Sequence, residues 1–136
     1  MPDITKVDLS KYRFQKAEEM LLSARRDMEA KDYASANNRA YYAIFHAMRA
    51  VLALDGEDFK KHSAVIARFT LNYLKPEILP REYSKLISNA SLIRNRSDYE
   101  DFYICSVEDT KALFSGAAAF CGEIGEYLER RYRTEL

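Results

Sequence analysis

This sequence has few of the residues that interrupt helices or form covalent cross-links. Its 136 residues include four glycines, three prolines, two cysteines and two histidines. Strand-like alternation of apolar and polar residues is rare, whereas long windows show apolar residues spaced three and four apart. The scarcity of turn residues and the helical spacing together predict an all-α fold.

The chain also lacks a net charge and a long apolar run. Lys plus Arg and Asp plus Glu both total 21, so any anion-binding site has to be local rather than a property of the whole surface. No stretch approaches the roughly 20 apolar residues of a membrane span, and the N-terminus lacks the apolar segment of a signal peptide. We therefore expect a soluble, cytoplasmic protein without a membrane partner.

The four potential soft-metal ligands are too few and too dispersed to indicate a metal site. Without a secretory leader, Cys105 and Cys121 are expected to be reduced. The spacing of these cysteines and of the two histidines predicts no metal ion, and no motif indicates a cofactor.

Caps and helix breakers divide one expected domain, residues 1–136 with an ordered core at about 10–133, into helices. Ser10 is expected to cap a first helix that runs to about Ala30, and Asp32 a second helix from about Tyr33 to Leu54. The short link between them predicts antiparallel neighbours.

The second half of the chain continues the pattern. Ser63 is expected to cap a shorter helix that Pro76 stops, and Pro80 fits the first turn of a helix that lasts to about Tyr99. A last long helix is expected after a cap at Ser106. The predicted architecture is an antiparallel bundle of four long helices plus one short helix.

The second predicted helix has two faces of different chemistry. Alanines at steps of four and three form a face that lets a neighbouring backbone approach closely: Ala36, Ala40, Ala43, Ala47 and Ala50. A polar edge has the same spacing: Arg39, Tyr42, His46 and Arg49. The first face is expected to pack, and the second is a candidate functional edge.

The last helix is apolar over an unusual width and contains three glycines. Gly116, Gly122 and Gly125 each cost about 1 kcal/mol relative to Ala inside a helix, a loss best explained if another helix approaches closely. A homodimer through this helix is therefore a hypothesis.

Three segments, in order along the chain, resemble the HEPN family of small helical prokaryotic proteins. They are Asn38-Arg39-Ala40-Tyr41-Tyr42-Ala43-Ile44-Phe45-His46-Ala47, Lys60-Lys61-His62-Ser63-Ala64-Val65 and Arg94-Asn95-Arg96-Ser97-Asp98-Tyr99. The resemblance spans nearly the whole chain and is strongest to short stand-alone members. It implies a bundle of four long helices with a shorter one, usually homodimeric, and often encoded beside a minimal nucleotidyltransferase as a toxin–antitoxin pair.

Active proteins similar to this one are metal-independent RNases that use an Arg followed, after four to six residues, by a His. Arg94 matches the Arg, but Tyr99, Glu100 and Asp101 stand where the His is expected. Cleavage through the 2′-hydroxyl needs a group that moves protons near neutral pH and a group that stabilises the phosphorane charge, which His and Arg supply. The catalytic motif is therefore degenerate, and enzyme activity stays open.

The resemblance centres the candidate site on the end of the fourth helix. Arg94 and Tyr99 are the candidate catalytic residues, and Asn95, Arg96 and Asp98 are candidates for nucleotide or phosphate binding. The alternative for Arg94 is a structural ion pair with Asp98, four residues later. The alternative for Asn95 and Arg96 is a solvated face.

Three residues elsewhere are further candidates for nucleotide or phosphate binding. Arg39 and His46 lie two turns apart on one helical face and share the spacing of the RNase motif, although the family keeps its catalytic pair on another helix. His62 follows two lysines beside a predicted N-cap, a combination that suits an anion. The alternatives are a hydrogen-bonded His46 and an ordinary loop residue at His62.

Three functions are compatible with this pattern. The first is a HEPN-type homodimer that acts in an RNA- or nucleotide-linked system as the partner of a minimal nucleotidyltransferase, with Tyr99 or Tyr103 as an AMP acceptor. The second is a non-catalytic scaffold that binds a nucleotide. The third is an active endoribonuclease in which Tyr99 or His46 replaces the missing His.

Overall fold

The computed structural model describes residues 5–100 and 104–135, and this part of the chain is almost entirely helical. The helices are α1 (Lys6–Glu29), α2 (Tyr33–Leu54), α3 (His62–Phe69), α4 (Tyr83–Tyr99) and α5 (Val107–Glu135). A π-helical segment, Thr70–Leu74, continues α3. The predicted all-α fold is confirmed, with four long helices and one short helix in the described ranges.

Two of the predicted helix caps are present. The Asp32 carboxylate accepts a hydrogen bond from the Ser35 backbone N–H at 3.3 Å at the start of α2. The Ser106 hydroxyl oxygen accepts one from the Asp109 N–H at 3.0 Å, immediately before α5. These side chains satisfy backbone donors that the first turn of a helix leaves without partners.

The first helix starts earlier than the sequence predicted. Thr5 is its N-cap and accepts a hydrogen bond from the Asp8 N–H at 3.0 Å, so the expected cap at Ser10 was wrong. Ser10 is buried one turn inside α1, where its hydroxyl donates to the Ala50 carbonyl at 2.7 Å and lies 2.8 Å from the Tyr132 hydroxyl. Ser10 therefore forms buried polar contacts between helices and does not cap the end of a helix.

Two other expected helix starts are also displaced. α3 begins at His62, and its N-cap Lys61 makes no side-chain capping bond, so Ser63 lies inside the helix. α4 begins at Tyr83, which places Pro80 before its first turn. The first turn of α3 thus keeps N–H groups that no side chain caps.

α2 is the central helix and packs against each of the other four. Its alanine face is buried as predicted: Ala36, Ala40, Ala43, Ala47 and Ala50. Ile44, Met48 and Val51 are fully buried beside it, each contributing roughly 1.5–3 kcal/mol to folding. The small face brings α1 close to α2 and leaves the polar edge of α2 at the margin of the core.

The glycines of α5 have different surroundings. A Cβ added at Gly116 would lie 2.5 Å from Leu86 Cδ1, and one at Gly125 would lie 3.1 Å from Phe14 Cζ, whereas a Cβ at Gly122 would meet no atom within 4 Å. Contacts within the chain therefore account for two of the three glycines.

In the described part of the chain, none of the helices combines the length and the apolar composition that spanning a membrane requires.

Candidate functional site

The fold places Arg94 of α4 against the aromatic residues at the middle of α2. The Arg94 guanidinium carbon lies 5.2 Å from the ring centroid of Tyr41 and 5.6 Å from that of Tyr42. Its Nε lies 3.3 Å from Oδ2 of Asp98, which confirms the expected pair one turn apart. The ion pair and the rings fix the guanidinium at the edge of the core and leave its other N–H groups available as donors.

His62, the first residue of α3, meets Arg94 at this position. Its Nδ1 lies 3.4 Å from Nη1 of Arg94 and 2.9 Å from the Tyr41 hydroxyl. A guanidinium can only donate, so Nδ1 is the accepting nitrogen and the proton of the neutral ring is on Nε2. The Tyr41 hydroxyl then donates a hydrogen bond to the same nitrogen.

Burial and nearby positive charges keep the imidazole of His62 neutral. Burial and then the positive charges of Arg94 and Arg49 lower the pKa of His62 below its usual value of 6.5. Burial raises the pKa of Tyr41 above 10, so its hydroxyl stays protonated as a donor. Positive charge at the site is therefore carried by the guanidinium and not by the imidazole.

A cavity of about 520 Å³ opens beside these groups. It lies between the start of α3 and the last turns of α4, and its polar lining comes from Tyr41, Lys61, His62, Ser63, Ser91, Arg94 and Asn95. The first turn of α3 has no capping side chain, and the N-terminal end of a helix carries partial positive charge. Two cationic side chains and this helix end make the cavity suited to an anion.

A second, smaller depression shares Arg94. Its volume is about 300 Å³, and Asn38, Arg39, Ser97 and Asp98 line it with Arg94. Nη1 of Arg39 donates to Oδ1 of Asn38 at 2.8 Å. Two adjoining depressions, with Arg94 between them, therefore contain five of the predicted site residues: Arg39, His62, Arg94, Asn95 and Asp98.

The other predicted residues lie elsewhere. Tyr99, the last residue of α4, is 79% exposed. Arg96 lines a groove between α4 and α5. Tyr103 lies outside the described residues.

His46 is on the polar edge of α2 but faces a different set of groups. Burial, and then the charges of Arg49, Lys16, Arg13 and His62, lower its pKa to about 4. Its buried Nδ1 has no hydrogen-bond partner within the described ranges. Its ring lies beside those of Tyr42 and Phe45, with centroids 6.1 and 5.8 Å away, and the charged side chains that act on it are cations.

Sequence reasoning missed Tyr41, whose apolar ring and position on α2 are typical of a core residue. The ring is 1% exposed, yet its hydroxyl reaches His62 at the edge of the cavity. The spacing of residues along α2 does not distinguish a buried Tyr that only packs from one that also supplies a hydrogen-bond donor.

Within the described ranges, no group of three or more His, Cys, Asp or Glu side chains is placed to hold a metal ion.

This geometry defines a class of protein: an all-helical bundle with a cavity suited to an anion between α3 and α4. The family model described as HEPN domain matches residues 10–128. The chain therefore belongs to the HEPN domain family.

Individual relatives agree with this assignment. A "UPF0332 protein" of Thermotoga maritima is 29% identical over 124 residues, which cover 91% of this chain and 94% of the relative. A protein of Methanocaldococcus jannaschii named "Putative toxin MJ0605" is 37% identical over 83 residues, 61% of this chain and 62% of the relative. A second protein of that organism, named "Putative toxin MJ0142", is 27% identical over 114 residues, 84% of this chain and 78% of the relative.

Proposed function

We propose that this protein is the toxin-like member of a toxin–antitoxin-like pair and that it binds a phosphate group of RNA at the Arg94–His62 site. One observation carries the proposal: Arg94 lies 3.4 Å from His62 beside the uncapped first turn of α3. The family and the names of the two M. jannaschii relatives support the toxin-like role.

The groups in the cavity match the chemistry of a phosphate. Arg94 presents planar donors to two oxygens, and Lys61 adds a second positive charge. The Nε2–H of neutral His62 and the free N–H groups at the start of α3 supply further donors. Asn95, at the rim, offers an amide for the sugar or base.

RNA cleavage is the second candidate function, because a neutral imidazole beside a guanidinium is favourable for it. The ring would take the proton of a 2′-hydroxyl, whose oxygen would bond to the adjacent phosphorus as the bond to the 5′-oxygen breaks. The departing 5′-oxygen would take a proton from water, and the imidazolium would release its own proton to solvent. The products would be a 2′,3′-cyclic phosphate and a 5′-hydroxyl. Cleavage requires both Tyr41 and Arg94 to release Nδ1 of His62, whereas binding does not, so binding is the primary proposal.

The test uses labelled single-stranded RNA in EDTA with wild type, Arg94→Gln, His62→Gln and the control Lys85→Gln. Lys85 is exposed on the same helix and also loses one charge. Arg94→Gln should bind about tenfold or more weakly, since a hydrogen bond to a charged group contributes about 1.5–3 kcal/mol. Equal binding by wild type and Arg94→Gln would overturn the proposal. Cleavage by wild type that both site variants lack would establish the second function.

The partner proposed for this system is a minimal nucleotidyltransferase, and the proposed assembly of the chain itself is a homodimer through α5. A groove of about 670 Å³ between α1 and α5 supports the dimer, since Gly122 lies in it with open space above its Cα. Light scattering at micromolar concentration should give twice the chain mass of 15.8 kDa. A monomeric mass would exclude the dimer but not RNA binding.

A further inference from the structure

Arg13 of α1 and Arg49 of α2 meet at one carboxylate. Nη2 of Arg13 lies 3.1 Å from Oδ2 of Asp58, and Nη2 of Arg49 lies 2.9 Å from Oδ1 of the same residue. Asp58 stands in the loop between α2 and α3. Its two oxygens are thus shared between two guanidinium groups from different helices.

The cluster has more positive charge and more donors than Asp58 can match. The Arg13 side chain is only 10% exposed, and its Nη1, like Nε of Arg49, is buried without a hydrogen-bond partner among the described residues. Leaving such donors buried and unpaired is unfavourable, because each loses its hydrogen bonds to water without replacement. Lys16 and His46 lie close enough to interact, and neither adds a negative charge. A structural ion pair alone does not explain the surplus.

Asp58 is exposed, although two guanidinium groups hold its carboxylate. Its side chain is 56% exposed, and within the described residues its side-chain polar contacts are those to the two arginines. Burial alone would raise the pKa of Asp58, but the hydrogen bond from Arg49 and the charge of Arg13 outweigh it, so the carboxyl is ionised near neutral pH. An exposed carboxylate across two guanidinium groups occupies the place that two non-bridging phosphate oxygens would take.

The cluster adjoins the Arg94–His62 site. The ring centroid of His62 lies 4.1 Å from that of Phe45, and the Arg49 guanidinium carbon lies 5.9 Å from the same ring. Arg49 and His62 therefore flank one buried aromatic residue of α2. Arg49 is also close enough for its charge to act on His62.

We propose that Arg13 and Arg49 form a second phosphate subsite, in which a phosphodiester of single-stranded RNA replaces the carboxylate of Asp58. The assignment of RNA rests on the proposed function, because a phosphate of the same strand is then held at Arg94 and His62. Asp58 acts as an internal competitor that covers the subsite when no strand is bound. A mononucleotide, which has no second phosphodiester, uses the Arg94 site alone.

The test measures binding of AMP and of a short labelled single-stranded oligonucleotide with 2′-O-methyl riboses, which cannot undergo 2′-hydroxyl attack. The variants are Arg49→Gln, Asp58→Asn and Arg94→Gln. The control is Arg25→Gln, an exposed arginine about 18 Å from Arg13 along α1 with the same loss of charge. Thermal unfolding of each variant checks that the fold is intact.

Arg49→Gln should weaken oligonucleotide binding about tenfold and reduce the slope of log K against log salt by about 0.7. AMP binding should change far less, because Arg49 acts on the Arg94–His62 site only through its charge on His62. Asp58→Asn should strengthen oligonucleotide binding by up to about fivefold, since an exposed ion pair contributes up to about 1 kcal/mol. Arg25→Gln should equal wild type.

The outcomes separate this inference from the proposed function. If Arg94→Gln weakens binding but Arg49→Gln and Asp58→Asn do not change it, the second subsite is overturned and the proposed function stands. If Arg49→Gln and Asp58→Asn behave as expected while Arg94→Gln binds like wild type, the subsite stands and the proposed function fails. Equal weakening of AMP and oligonucleotide by Arg49→Gln, or no binding by any protein, also overturns the second subsite.

Discussion

Nη1 of Arg94 and Nδ1 of His62 are 3.4 Å apart, although the residues are separated by 32 positions in the chain. Arg94 enters from the end of α4 and His62 from the start of α3, and each contacts Tyr41 of α2. The family resemblance places a His shortly after Arg94 on the same helix. Here the imidazole beside the guanidinium comes from another helix.

The protonation of His62 should report on Arg94. In the folded protein, burial and then the nearby positive charges lower the pKa of His62 below 6.5. Removing one of those charges in Arg94→Gln should raise it part of the way back, since the ring remains buried. A pH titration of the imidazole ¹⁵N shifts by NMR measures both values. An unchanged pKa in the variant would contradict the contact between the two side chains.

His46 should make the fold sensitive to mild acid. Its pKa is about 4 in the folded protein, against 6.5 as the ordinary value. Between these pH values the unfolded chain binds more protons than the folded chain, so the free energy of unfolding falls as pH decreases from about 6.5 to 4. Allowing for partial solvent screening, we expect about 1–2 kcal/mol from this residue.

Urea unfolding at pH 7 and pH 4.5, with wild type and His46→Gln, measures this contribution. The variant should lose most of the difference between the two pH values and retain the part that His62, also lowered in pKa, contributes with the same sign. The Asp58 ion pair is a separate effect, because the lowered pKa of that carboxyl moves its loss to pH below 3.8. An identical pH dependence in both proteins would show that His46 accepts protons freely in the folded state.

The glycines of α5 should respond differently to alanine. Within one chain, a Cβ at Gly122 meets no atom within 4 Å, so Gly122→Ala should raise the free energy of unfolding of the monomer by about 1 kcal/mol, the usual difference between Gly and Ala inside a helix. This outcome agrees with the proposed dimer if the second copy packs beside Gly122 and not directly on it. Gly116→Ala should gain less, because its Cβ would require Leu86 to move. Urea unfolding and light scattering measure the two effects. Destabilisation by Gly122→Ala, with a loss of dimer mass, would place a second helix directly on this glycine.

Much of the fold could be predicted from the sequence because it depends on local periodicity. The alanine face of α2, the caps at Asp32 and Ser106 and the pair of Arg94 with Asp98 all involve residues within a few turns of one another. These features follow from helix geometry alone.

The rest depends on contacts between distant segments. Serine is a common helix cap, but the hydroxyl of Ser10 donates to the carbonyl of Ala50. Only the packing of α1 on α2 brings these two residues together. The meeting of His62 with Arg94 likewise depends on the path of residues 55–61 across α2. The spacing of residues along the chain does not determine that path. Sequence analysis therefore identified Arg94 and His62 as separate candidates and could not predict their contact.

Tyr99 should accept AMP from a minimal nucleotidyltransferase if the proposed pairing is correct. Its ring is 79% exposed at the last turn of α4, so the hydroxyl is open to another protein. The phenol oxygen would bond to the α-phosphorus of ATP, releasing pyrophosphate and a proton. The product carries a negative phosphodiester beside Asp98, whose carboxylate pairs with Arg94, and should therefore weaken RNA binding.

Intact-mass measurement after co-expression with the nucleotidyltransferase tests this modification. Wild type should gain the mass of one adenylyl group, and Tyr99→Phe should gain none. Tyr12→Phe is the matched control, since Tyr12 is 58% exposed on α1 and also loses only a hydroxyl. An adduct that persists in Tyr99→Phe would move the acceptor to another residue, with Tyr103 the next to replace. No adduct on wild type would count against a nucleotidyltransferase partner of this kind, because the exposed hydroxyl of Tyr99 offers it no steric barrier.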